Sequence, residues 1–137
     1  MKRMLNDDGE YTVDSAGTSA WHEGEPPDGR STYHASLRGY SLSGASRAVY
    51  ESDFKDYDLI LAMDARNQFD LTKMCPNPEL ESKIKLITDF CKTHEADKVK
   101  QGVPDPYHKG EEGFGIVLDI IEDACHEIVK KIKSKEI

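Results

Sequence analysis

Tyr57-Asp58-Leu59-Ile60-Leu61-Ala62-Met63 makes a nearly continuous apolar run, the pattern of a strand buried on both faces of a parallel sheet. Asp64 stands at its carboxyl end and predicts the cap of a helix through Leu71. A further strand is predicted at Lys83-Ile84-Lys85-Leu86-Ile87, leading through Asp89-Phe90-Cys91 into a polar stretch. Earlier, Tyr11-Thr12-Val13-Asp14 is β-rich and ends at Ser15-Ala16-Gly17-Thr18, which predicts a strand running into a tight turn. Residues 2–10 read as the tail of a helix and a loop. Asp28 can cap a helix through about Leu37, with Gly39 as its left-handed stop, and Glu51-Ser52-Asp53-Phe54 can form one turn. After Gly110 to Gly113 a final helix begins, with Phe114, Val117, Leu118, Ile121, Cys125, Ile128, Val129 and Ile132 forming one apolar stripe that faces the core.

Strands alternating with helices give an α/β chain, because each parallel pair of strands needs a crossover. Ligands in such folds collect beyond the carboxyl ends of the strands. Ser15, Asp64 and Asp105 are the candidates for that edge.

Composition narrows the function classes. The chain of 137 residues fits one domain with a real core, and 37% apolar and 32% charged residues suit a soluble globular protein. No stretch approaches the ~20 apolar residues that span a bilayer, and no apolar leader follows Met1, so a cytoplasmic protein without membrane partners is expected. A net charge of −8 argues against nucleic acid as a partner. Lys130, Lys131, Lys133 and Lys135 cluster at the C-terminus, where they complement a helix dipole. The cysteines, Cys75, Cys91 and Cys125, are odd in number and widely spaced, against a disulfide framework or a zinc ribbon. Cys91 and Cys125 read as small buried hydrophobes and Cys75 as the most exposed. The five histidines, His22, His34, His94, His108 and His126, lack ligand spacing, so no metal is expected. Gly110, Gly113 and Gly115 lack the preceding strand and the lysine of a nucleotide loop, and no cofactor is expected.

The stretch with the most chemical character is Val103-Pro104-Asp105-Pro106-Tyr107. Each proline fixes its own φ near about −65° and biases the residue before it toward extended backbone, so Asp105 projects from a stiff segment able to aim a proton donor. Asp beside Pro is also ordinary turn chemistry, and the pentapeptide alone fits a surface turn. Trp21-His22 lies in a loop-like stretch with Gly24, Pro26 and Pro27, where the indole is either a hydrophobic plug or the wall of a pocket.

Taken in series, Val13-Asp14-Ser15-Ala16-Gly17-Thr18, Trp21-His22-Glu23-Gly24, Pro27-Asp28, Asp53-Phe54, Leu59-Ile60-Leu61-Ala62-Met63-Asp64 with Asn67, Val103-Pro104-Asp105-Pro106-Tyr107 and Gly113-Phe114 resemble the low-molecular-weight protein-tyrosine phosphatases in order and spacing, over nearly the whole chain. The resemblance implies a doubly wound parallel sheet in three layers. It also implies hydrolysis of a phosphotyrosine-containing protein or aryl phosphate through a phosphocysteine. In that chemistry a thiolate in a Cys-x5-Arg loop attacks phosphorus, backbone N–H groups and the arginine hold the phosphate oxygens, and an acid protonates the leaving phenolate. By resemblance Asp105 is that acid, and later the base toward the water that clears the phosphocysteine. Tyr107 and Trp21 would wall the aryl pocket, with His22 near its rim, and Ser15 and Asp64 would brace the phosphate loop. His108 departs from the family pattern, in which a second aromatic residue usually follows the tyrosine.

The Cys-x5-Arg loop itself is not found in residues 1–137. Six residues after Cys75 stands Glu81, after Cys91 stands Asp97, and after Cys125 stands Lys131. The expectation is a single phosphatase-like domain lacking the family's first strand, phosphate loop and most of its first helix, with Met1-Lys2-Arg3-Met4-Leu5 the end of that helix. The chain would then begin inside a longer sequence or be a natural remnant. It would be marginal in stability and without phosphatase turnover, because an acid without a nucleophile or cradle lacks the main catalytic terms. A non-catalytic remnant serving as a binding or regulatory module is the alternative. Arsenate reductase on the same fold is disfavoured, since that chemistry relays through closely spaced cysteines whereas Cys75 and Cys91 stand sixteen residues apart.

Overall fold

The computed structural model describes residues 1, 11–19, 24–42, 44–92, 102–104 and 110–135. Its contacts divide into two compact units, one of Met1–Val49 with Asp105–Leu118 and one of Tyr50–Pro104 with Asp119–Ile137.

In the first unit, helix α1 spans Gly29–Leu37. The Asp28 carboxylate accepts the Ser31 N–H at 3.0 Å, satisfying a donor that the first turn cannot pair internally. The helix stops where Gly39 takes φ +82°. There the Gly39 N–H donates to the Ser36 carbonyl and the Tyr40 N–H to the Ala35 carbonyl, both at 3.0 Å, the paired closure of a glycine-terminated helix. The strand expected at Tyr11–Asp14 is not formed. The only bridge this segment reaches among the described residues is at Gly17, parallel to Ala48, with Gly17 N–H donating to Arg47 O at 2.8 Å and Val49 N–H to Gly17 O at 3.0 Å. β-branched residues favour extended backbone, but a ladder also needs a partner along its length.

In the second unit, helix α2 (Asp53–Asp56) is a single turn that buries Phe54 completely. Strand β1 (Ile60–Ala62) pairs in parallel with strand β2 (Ile84–Leu86), Ile60 opposite Ile84 and Ala62 opposite Leu86. The crossover between them is helix α3 (Ala65–Met74) followed by a 3-10 turn over Pro78–Lys83. This is the α/β arrangement with a parallel sheet that the alternation predicts. Both strands are shorter than their apolar runs: Tyr57 closes α2, Met63 is 46% exposed, and Ile87 turns into a 3-10 segment through Phe90. The last helix, α4, spans Gly110–Lys133 and so starts earlier than expected; its residues through Leu118 belong to the first unit and those from Asp119 to the second. Phe114, Cys125, Ile128 and Val129 of its stripe are buried, but Ile120 and Ala124 are buried more deeply than Ile121. No helix among the described residues is long and apolar enough to cross a membrane.

Candidate functional site

Asp64 sits where β1 ends and α3 begins. Its extended backbone, φ −147° and ψ 174°, lets the carboxylate turn back and accept the Asn67 N–H at 2.7 Å. The same residue forms an antiparallel bridge with Gly102, and the Val103 N–H donates to the Met63 carbonyl at 2.7 Å. The segment Gly102-Val103-Pro104 is thereby held at the carboxyl end of β1, the edge where α/β folds bind ligands. Asp105 and Tyr107 follow in the sequence, but they lie outside the described residues, as do Trp21, His22 and His108.

Ser15 belongs to the first unit. Its N–H donates to the Asp14 carboxylate at 2.8 Å, and with Ala16, Gly17, Ser46 and Arg47 it lines an open depression of about 270 Å³. Arg47 bridges this region, with Nε and Nη2 each 3.2 Å from Asp14 Oδ2 and Nη1 donating to Ala48 O at 3.0 Å. Ser46 also pairs both ways with the 24–25 segment, accepting from Gly24 N–H at 2.7 Å and donating to Glu25 O at 2.8 Å. The 46–49 segment is thus the common partner of the Ser15 turn and of the chain returning after residue 23.

The thiols are a different matter. Cys125 is buried, and desolvation raises its pKa. Cys91 is half-buried, with Sγ 3.7 Å from the Ile120 carbonyl. Burial, reinforced by the Asp123 carboxylate, pushes its pKa up to about 11. Both environments favour the neutral thiol, the opposite of what a phosphate-attacking thiolate needs. Cys75 is half-buried, with its Sγ turned back onto the Asn77 carbonyl at 3.2 Å, and the expectation that Cys91 is buried needs correction, since it too is only half-buried. Among the described residues no three His, Cys, Asp or Glu side chains gather as metal ligands.

A family model described as low molecular weight phosphotyrosine protein phosphatase matches residues 1–137. The chain belongs to this family. A relative from Synechocystis sp., slr0328, named under the same phosphatase heading, is 40% identical over 119 residues, covering 87% of this chain and 73% of its own length. The low molecular weight protein-tyrosine-phosphatase of Streptomyces coelicolor is 32% identical over 127 residues, covering 90% and 74% respectively. A crystal structure of protein tyrosine phosphatase from Entamoeba histolytica, with Hepes in the active site, superposes with a TM-score of 0.90 at 39% identity, covering 99% of this chain and 86% of the other. The low molecular weight phosphatase fold is therefore shared.

Within that fold, the structure describes Ser15 in the first unit and Asp64 in the second. Two residues of the described geometry were not singled out from the sequence. Gly102 carried a signal, a glycine directly before the Val103–Tyr107 stretch. Arg47 carried none, because its partner Asp14 lies 33 positions away.

Proposed function

We propose that this phosphatase-family chain contributes the proton-transfer and aryl-binding part of a phosphotyrosine phosphatase site. Asp105 protonates the leaving phenolate oxygen as the P–O bond breaks and then takes the proton of the water that hydrolyses the phosphocysteine. Tyr107 and Trp21 flank the aromatic ring, His22 stands at the rim, and Ser15 and Asp64 brace the phosphate loop. The substrate class is a phosphotyrosine-containing protein or an aryl phosphate, met in the cytoplasm, and residues 1–137 act as one domain. The observation that carries the reading is the family match along residues 1–137, whose sequence keeps Val103-Pro104-Asp105-Pro106-Tyr107 intact.

The phosphocysteine step needs a thiolate and an arginine at Cys-x5-Arg spacing, and residues 1–137 hold no such pair. We therefore expect these residues by themselves not to turn over p-nitrophenyl phosphate. The assay compares the 137-residue chain with its Asp105→Ala variant. Equal, background rates are expected. Hydrolysis by the parent chain that Asp105→Ala abolishes would overturn the expected inactivity and support the acid role. Hydrolysis insensitive to Asp105→Ala would overturn the acid role.

A further inference from the structure

Residues 102–104 are fixed to the carboxyl end of β1 by contacts that leave no room for a side chain. Gly102 is buried and takes φ +102°, a conformation that L side chains rarely adopt. A Cβ at this position would run into the Asp64 Cα and the Met63 carbonyl oxygen, and would lie 2.8 Å from the Asp64 Cβ. None of these atoms is the free end of a flexible side chain. Asp64 cannot retreat without giving up its cap on α3, and Met63 directly follows a strand laddered to β2. One residue on, the Val103 N–H is committed to the Met63 carbonyl at 2.7 Å. Pro104 then restricts the backbone that leads to Asp105.

We propose that Gly102 is a positioning residue, the fixed point from which the Asp105-bearing segment leaves the carboxyl end of β1. It touches no substrate and acts through Asp105, so the inference rests on the reading of Asp105 as the general acid. Any other residue at 102 must lift the chain off β1 by about 1 Å to restore ordinary contact distances. In a working active site, a misplacement of that size costs about a hundredfold in the step it serves.

The test reads the orientation of the segment without turnover, on the 137-residue chain. Amide exchange and backbone N–H residual dipolar couplings are recorded for wild type, Gly102→Ala and Val103→Pro. In wild type, the Val103 amide is expected to be protected. In Gly102→Ala, that protection falls by about tenfold or more. The Asp105 couplings then depart from wild-type values while those of β1 and β2 are kept. Val103→Pro removes the same donor without adding a Cβ at 102, and is expected to shift the Asp105 couplings in the same way. It decides the question if Gly102→Ala fails to fold. An unprotected Val103 amide in wild type would overturn the proposal. So would folded variants whose melting temperature changes while the Asp105 couplings do not, which is what a merely structural glycine would give. Failure of the acid reading would show instead in any hydrolysis of aryl phosphate above background that Asp105→Ala left unchanged, and it would leave the Val103 protection and the Asp105 couplings as expected, so the two failures are distinguishable.

Discussion

Replacing Asp64 by alanine removes the side-chain cap at the N-terminus of α3, and the cost can be worked from its contacts. The carboxylate accepts the Asn67 N–H at 2.7 Å in a partly buried setting, and the first turn of α3 holds no acidic residue to take over. Loss of such a cap costs about 1 kcal/mol, within a range of about 0.5–2. The negative charge at the positive end of the helix adds about 0.3–1 kcal/mol. Asp64→Ala should therefore destabilise by about 1.5–2 kcal/mol, and Asp64→Asn, which keeps the acceptor but not the charge, by less than about 1. For a chain of this length each kcal/mol moves the melting temperature by about 4 °C. Thermal and urea unfolding of the three proteins would resolve the series. Equal stability of Asp64→Ala and wild type would refute the capping argument. Equal loss in the Asn and Ala variants would assign the whole effect to charge rather than to the hydrogen bond.

Phe54 is fully buried on a single helical turn, so Phe54→Ala should cost about 3–5 kcal/mol, read as a lowered urea midpoint with Phe54→Leu in between. Lys83 donates to the Phe54 carbonyl at 2.9 Å and approaches the Lys55 carbonyl at 3.4 Å, tying α2 to the turn before β2. Lys83→Met keeps the stem but leaves a partly buried carbonyl unpaired, at about 1–2 kcal/mol in the same measurement. The Cys91 thiol is held neutral by burial and by Asp123, its pKa rising from 9.0 to about 11. The unfolded chain gives up that proton first, so its stabilising contribution is whole below pH 9.0 and fades as pH rises toward about 11. A Cys91→Ser variant should flatten the loss of stability over that interval, and Cys91 alkylation by iodoacetamide should accelerate across it. A pH-independent alkylation rate would contradict this account.

The segments read correctly from the sequence are those whose physics is local. Asp28 and Asp64 cap their helices because a short carboxylate reaches an N–H three residues on, and Gly39 ends α1 because a positive φ costs glycine little. The alternation of apolar runs and helical periods was enough for the parallel β1–α3–β2 unit. For the site, the order and spacing of motifs propose roles for Asp105, Tyr107, Trp21 and His22, and these four lie outside the described residues.

What the sequence by itself determined, then, is the class of the fold, the family, the capped starts of α1 and α3 and the glycine stop of α1, since each cap and stop depends on residues near one another in the chain. Helix α3 runs on to Met74 past the expected Leu71, and α4 begins before the expected start. Tertiary structure decided the rest. Tyr11–Asp14 has strand composition but no ladder, because pairing depends on a distant segment: that segment reaches Asp14 through the Arg47 side chain, and among the described residues its backbone bridges this stretch of chain only beyond Asp14, at Gly17 and Ala48. On α4 the buried side takes in Ile120 and Ala124 and leaves Ile121 partly exposed, a choice among apolar positions that the helical period by itself does not make. Gly102 became meaningful only when the backbone of Asp64 proved to occupy the space its side chain would need, a contact across 38 positions that no local pattern encodes.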